Sequence, residues 1–313
     1  WGLGTPTLGP SGNNGNNTGD IEVMVNEDGT VDFFLLMTDN GFASYHLAVP
    51  TPPEEPVNMT SNWEISGGER SYFPSSGDVV RGLGYDYVTN SVLIASRQDN
   101  KIHLLNAEDG TDVGTLDMTG VEGGFYGISL MKAVADENGV IYACNLASGG
   151  DFKIYRWADT SATPTVALQQ TVSDRFGDVL AIHGSGTDTK LYASARDGTV
   201  IKVFSTTDGE NFQEGYDIPI SSGAANGGIS VENDSTLWIN AAWSSVKKID
   251  TSGNVLATPS GIEDYYGNVL YMEGAHGEKL LGFNANNSEG NRRKIAVYDI
   301  TEDESNHQFW ASG

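Results

Sequence analysis

The chain is poor in the features that usually announce a function. Cys144 is its one cysteine in 313 residues, so no disulfide can form within the chain. That thiol sits in a strand-like run and reads as a small buried hydrophobe. Lys and Arg number 17 against 42 Asp and Glu, a net charge of −25. Such a surface repels phosphate backbones and anionic lipid headgroups, which argues against nucleic acid and membrane surfaces as partners. No apolar run approaches the ~20 residues that a membrane helix requires, so no membrane insertion is expected. His46, His103, His183, His276 and His307 lie far apart, with no H-E-x-x-H arrangement. No G-x-S-x-G precedes a helix, and no glycine-rich segment opens a helix as a phosphate loop does.

What the chain does have is a repeat. VLIASR from Val92, VIYACN from Val140, KLYASA from Lys190, TLWINA from Thr236 and KLLGFN from Lys279 are copies of one strand, 48, 50, 46 and 43 residues apart. A period of 40–50 residues built of short strands marks a β-propeller blade. Four strands can be read around each copy. Blade two, for example, runs RGLGYD, VLIASR, KIHLLNAEDG and TDVGTLDMTG. A first unit, IEVMV, VDFFLLM, ASYHLAV and NMTSNWEIS, is interrupted by the proline-rich loop PTPPEEP, residues 50–56. Asx-Gly pairs such as Asp28-Gly29, Asn40-Gly41, Asp109-Gly110, Asn138-Gly139, Asp197-Gly198 and Asp208-Gly209 suit the tight turns between antiparallel strands. The expected fold is all-β: a six-bladed β-propeller of four-stranded antiparallel blades, with seven blades as the alternative. Residues 21–313 form this single domain, and residues 1–20 form a Gly/Asn-rich arm.

The arm holds Trp1, Asn13, Asn14, Asn16 and Asn17 and is expected to dock on the body or on a neighbouring subunit. The start at Trp1 reads as a processed mature chain. Asn16, Asn58, Asn233 and Asn286 fall in N-x-[ST] frames, and Asp234-Ser235-Thr236 resembles a short O-glycan acceptor.

RGLGYD, LNAEDGTDVGTLDMTGV, GVIYACNLASGGDFKIYRWAD and RFGDVLAIHGSGTDTKLYASA together resemble a family of secreted bacterial propeller proteins of unknown function, over roughly residues 60–250. The resemblance implies an extracellular or cell-surface propeller and implies no activity.

Arginines are scarce, which makes their places informative. Arg81 and Arg175 fall at the starts of innermost strands. Arg97 and Arg196 end second strands, with Asp99 and Asp197 following. Such ends line a propeller's channel, so these six residues could hold an anionic or sugar ligand. The structural alternative is Arg–Asp pairs that lock neighbouring blades. The acidic turns NEDG, AEDG, ADENG and TEDE raise calcium, but none has the spacing of a calcium loop, so no cofactor is expected. Trp63, Trp157, Trp238, Trp243 and Trp310 read as packing between blades, with sugar stacking as the alternative. The function that follows is a non-catalytic extracellular scaffold or adhesion subunit. It would self-associate into fibres through its arm, or meet a cell-surface or matrix partner. Two alternatives stand beside it. One is a lactonase-like hydrolase or lyase with a metal held in the channel by carboxylates and amides from different blades. The other is a glycan-binding module.

Overall fold

A computed structural model describes residues 19–26, 28–47, 57–241, 245–260, 262, 268–274, 277–285, 294–305 and 308–312 of the protein. The arm as far as residue 18, the loop 50–56, Trp243, His276, Asn286 and His307 lie outside the described residues, as does the side chain of Trp310.

Each blade is a sheet of consecutive antiparallel strands. Blade one holds β1 (Gly19–Val25), β2 (Val31–Met37) and β3 (Gly41–Leu47). The short β4 (Val57–Asn58) then leaves the blade, and β5 (Thr60–Ser66) completes it. Blade two is β6 (Val80–Asp86), β7 (Ser91–Ser96), β8 (Lys101–Asn106) and β9 (Asp112–Thr115). Blade three is β10 (Lys132–Ala135), β11 (Ile141–Cys144), β12 (Gly150–Trp157) and β13 (Thr165–Val172). Blade four is β14 (Ala181–His183), β15 (Lys190–Ser194), β16 (Val200–Thr206) and β17 (Phe212–Pro219). Blade five is β18 (Gly228–Asn233), β19 (Thr236–Asn240), β20 (Lys247–Asp250) and β21 (Val255–Ala257). Blade six is β22 (Val269–Glu273), β23 (Lys279–Ala285), β24 (Lys294–Asp299) and β25 (Gln308–Ser312). The first strands are neighbours round the ring, β1 touching both β6 and β22, so they enclose a central channel. The six-bladed expectation holds, and the repeated motif is the second strand of blades two to six.

The apolar residues sort into six layers, one per pair of neighbouring blades. Alternation along a strand sends successive side chains to opposite faces. In β2, Val31, Phe33 and Leu35 join Leu280, Ile295 and Val297 of blade six. Phe34 and Leu36 point the other way, to Leu83, Val92 and Ile94 of blade two. Leu93 and Ala95 meet Ala133 and Ala143 of blade three, and Leu237 and Ile239 meet Ile201 and Ile218 of blade four. Full burial of one such large side chain contributes about 1.5–3 kcal/mol, so no sheet is stable without its neighbours.

RGLGYD has a specific job here. Cβ atoms added at Gly82 and Gly84 would stand 2.6 Å from the carbonyl oxygens of Met131 and Ala133. The two glycines let β6 touch the backbone of β10, and this sets the distance between blades two and three at the channel.

Two features depart from the expected pattern. NMTSNWEIS is not one strand: β4 pairs in parallel with β25, Ala311 opposite Val57 and Ser312 opposite Asn58, while β5 pairs with β3. The proline-rich loop lies just before this point, so the chain crosses to blade six and returns, clasping the ring where its two ends meet. In addition, every blade has a register shift between its third and fourth strands, from Ser44/Tyr45 in blade one to Val297/Tyr298 in blade six. A bulge there adds twist to the rim strand, and repetition makes it part of the blade plan.

Candidate functional site

Antiparallel order sorts the loops by end of the channel. The starts of first strands, the turns between second and third strands, and the crossings between blades share one end. Arg81, Arg97, Asp99, Arg175, Arg196 and Asp197 all fall at this mouth. The other end carries the remaining turns, with Asp28, Asp109, Glu137, Asp159, Asp208 and Asp250. Several of these are Asx turns: Asp109, for example, accepts Thr111 N at 3.0 Å and Thr111 Oγ1 at 2.7 Å, which lowers its pKa. The acidic runs thus serve as turn chemistry at the far end.

Three arginines converge at the mouth. Arg81 donates from Nη2 to Asp78 Oδ2 at 3.1 Å. Arg175 grips Asp178 through Nε and Nη2, both at 2.6 Å. Arg97 instead donates to the backbone carbonyls of Val79 and Asp78. Burial lowers its pKa, and the charges of Arg81 and Arg175 lower it further, against the opposing pull of Asp78 and Asp178. A guanidinium stays protonated all the same, and among these three arginines Arg97 is the one whose N–H donors go to backbone carbonyls and not to a carboxylate. Asp39, on the blade-one turn beside it, accepts Asp78 N at 3.0 Å. Burial raises its pKa, against the opposing hydrogen bond from Asp78 N.

The remaining expected residues are placed differently. The observed pairs join residues three apart in one segment, so they do not lock neighbouring blades. Arg175 lies in the crossing before β14, not on the strand. Asp99 turns to His103 Nε2 at 2.9 Å, and His103 stacks on Tyr72 with centroids 3.6 Å apart. Arg196 and Asp197 have exposed side chains and are tied in by backbone: Arg196 N donates to Arg175 O at 2.9 Å, and Asp197 O accepts Ser222 Oγ at 2.8 Å.

Below the mouth the channel opens into a cavity of about 200 Å³, lined among others by Asp20, Glu22, Tyr87, Lys132, Asn268 and Tyr271. Arg81 and Asp178 stand two and one residues before its lining residues Leu83 and Val179. Asp20 is saturated. Its Oδ2 accepts Lys132 Nζ at 2.7 Å and Leu83 N at 2.9 Å, and its Oδ1 accepts Asn268 Nδ2 at 2.6 Å and Ile21 N at 3.3 Å. One carboxylate of blade one thereby ties together blades two, three and six. Glu22, two residues on, lines the same cavity. Desolvation, and then the negative charge of Asp20, push its pKa up to about 8 against the pull of Lys132.

This arrangement bears on the metal alternative. Carboxylate and amide from different blades do meet in the channel, but Asp20 is filled by N–H donors, and an ammonium occupies the place of a cation. Among the described residues, no group of three or more His, Cys, Asp or Glu side chains is placed to hold a metal ion. Asp20 and Lys132 escaped sequence reading because they stand 112 residues apart with no local motif. Asp20 reads as the last residue of a polar arm, yet β1 already begins at Gly19.

The tryptophans that are described pack inside the ring. Trp157 and Trp238 are fully buried, and Trp63 Nε1 donates to Ala107 O at 2.8 Å. Cys144 is buried, and desolvation pushes its thiol pKa up to about 12. Among the described residues, no helix is long and apolar enough to cross a membrane.

Fold and site define a six-bladed propeller with a mouth of paired arginines and aspartates over a polar channel. The family model described as "Domain of unknown function (DUF4623)" matches residues 57–308, and the chain belongs to that family. A crystal structure of a DUF4623 family protein from Bacteroides eggerthii DSM 20697 is similar over 91% of this chain and 68% of its own, at 18% identity and a TM-score of 0.65. The Aleuria aurantia lectin, described as a six-bladed propeller with a novel fucose recognition mode, is similar over 98% of this chain and 97% of its own, at 12% identity and a TM-score of 0.62. At these identities the likeness is one of fold. No curated protein matches the sequence.

Proposed function

We propose that this protein is a non-catalytic, extracellular binding propeller that captures an anionic ligand, such as a carboxylate-bearing saccharide, at the arginine mouth of its channel. The observation that carries the reading is Arg97. It is a half-buried guanidinium whose donors go to carbonyls, beside the Arg81–Asp78 and Arg175–Asp178 pairs, in a chain with few cations. A ligand carboxylate would neutralise that charge and accept paired N–H donors, the geometry guanidinium serves best. An acidic surface elsewhere would direct the anion to this one end. An adhesion role fits such a module, since a rigid ring presents the mouth at a fixed angle. The extracellular setting rests on the family resemblance. The fibre-forming role of the arm rests on composition alone, so the reading is built on the mouth.

Titration calorimetry with oligouronates and with neutral oligosaccharides of equal length tests it. Binding of the acidic series, weakened by salt and lost by at least tenfold in Arg97→Ala and Arg175→Ala, is the expected result. Equal affinity for acidic and neutral sugars, or affinity indifferent to both substitutions, refutes it. Culture fractionation that leaves the chain inside the cell refutes the extracellular part.

A further inference from the structure

We infer that the channel cavity is a second site, distinct from the arginine mouth, that takes a small organic cation of the alkylammonium class with Glu22 as its counter-charge. Three observations converge. Asp20 and Lys132 neutralise each other, and Asp20 has no acceptor capacity left, so Glu22 is the carboxyl still open to a guest. Its side chain lines a cavity of about 200 Å³, room for a small organic molecule. Tyr87 also lines this cavity, and it feels the charge of Glu22. A carboxylate in a mostly enclosed, partly apolar cavity favours an ammonium carrying a short alkyl chain, which pairs the charge and buries the chain. Calcium needs six to eight converging oxygens, which one open carboxyl does not supply.

The neighbouring charges are otherwise committed. On β2, Asp32 accepts Asn26 Nδ2 and faces His46 Nδ1. On β6, Arg81 holds Asp78, and Asp86 accepts Val88 N and Thr89 Oγ1. On β22, Glu273 accepts Tyr271 Oη, and on β23, Lys279 pairs with Glu304. Lys132 on β10 is bound to Asp20. Glu22 therefore meets an incoming cation with little competition.

Near neutral pH Glu22 holds its proton. An ammonium that pairs with it must displace that proton into solvent, so binding and proton release are linked. A neutral hydroxylic guest would release none.

Calorimetry on the full chain with n-propylammonium chloride, against n-propanol as the neutral match, decides the matter. One ammonium per chain is expected. Its affinity falls about tenfold per pH unit as pH drops from 8 to 6, and release approaches one proton at pH 6.5, read from heats in two buffers of different ionisation enthalpy. Glu22→Gln is expected to weaken ammonium binding at least tenfold at pH 8.5 while leaving oligouronate binding at the mouth unchanged. Failure of oligouronate binding alone would refute the mouth and leave this site standing. The inference is overturned if propanol binds as tightly, if Glu22→Gln matches the parent, or if no proton is released. If Glu22→Gln does not fold, the proton count on the parent chain decides alone.

Discussion

Replacing Asp20 by asparagine keeps the shape of the side chain and removes its charge. The amide has one oxygen for four donors, and its own NH₂ must face either Lys132 Nζ at 2.7 Å or Asn268 Nδ2 at 2.6 Å. Asp20 is 3% exposed and Lys132 9%, so water from the channel replaces the lost partner only in part. Removing one member of a buried ion pair costs about 3–5 kcal/mol, because the other is left charged and unpaired. Against a total stability of about 5–15 kcal/mol this is a large fraction. The damage falls on contacts among blades one, two, three and six at once, so the ring loosens as a whole. Urea unfolding followed by tryptophan fluorescence and far-UV circular dichroism measures it. The midpoint should fall with the slope unchanged. Asp20→Asn/Lys132→Met, which also removes the stranded ammonium, should recover most of the loss. A single substitution costing under about 1 kcal/mol, or a double variant as unstable as the sum of the singles, would refute the view that this pair knots the channel.

Three further outcomes follow from the same structure. Glu22 binds its proton more tightly when folded, with a pKa of about 8 against an ordinary 4.5, so raising pH between those values favours unfolding. Stability should fall across that window by at most about 1.4 kcal/mol per pH unit, and comparing urea midpoints at pH 6 and 8.5 should show that slope reduced in Glu22→Gln. Cys144, buried with its pKa pushed up to about 12, should resist iodoacetamide at pH 8 in the native protein and react once urea unfolds it, as mass spectrometry would show. Gly84→Val should destabilise the chain by more than about 3 kcal/mol, since its Cβ would sit 2.6 Å from Ala133 O and the backbone of β10 cannot yield; a stable Gly84→Val protein would contradict the close approach of blades two and three.

Much of the mouth was legible, for a topological reason. Arg81 precedes a recognisable inner strand and Arg97 follows a second strand, and antiparallel order sends both positions to one end. Their partners were not legible. Asp78 and Asp178 are drawn in by local turns, while Asp99, the neighbour in sequence, is claimed by His103. The clasp of β4 on β25 was equally hidden, because a two-residue strand carries no periodicity of its own.

The sequence by itself determined the blade. Period-two alternation and a spacing of 43–50 residues between copies say which residues face a neighbouring sheet, because every blade solves the same local packing problem. Only the tertiary structure decided what happens on the axis. There, six different first strands meet once each, and Asp20 finds Lys132 and Asn268 across 112 and 248 residues of chain. No repeat encodes that meeting. Closure of the ring creates it, by desolvating charges that a lone blade would leave in water.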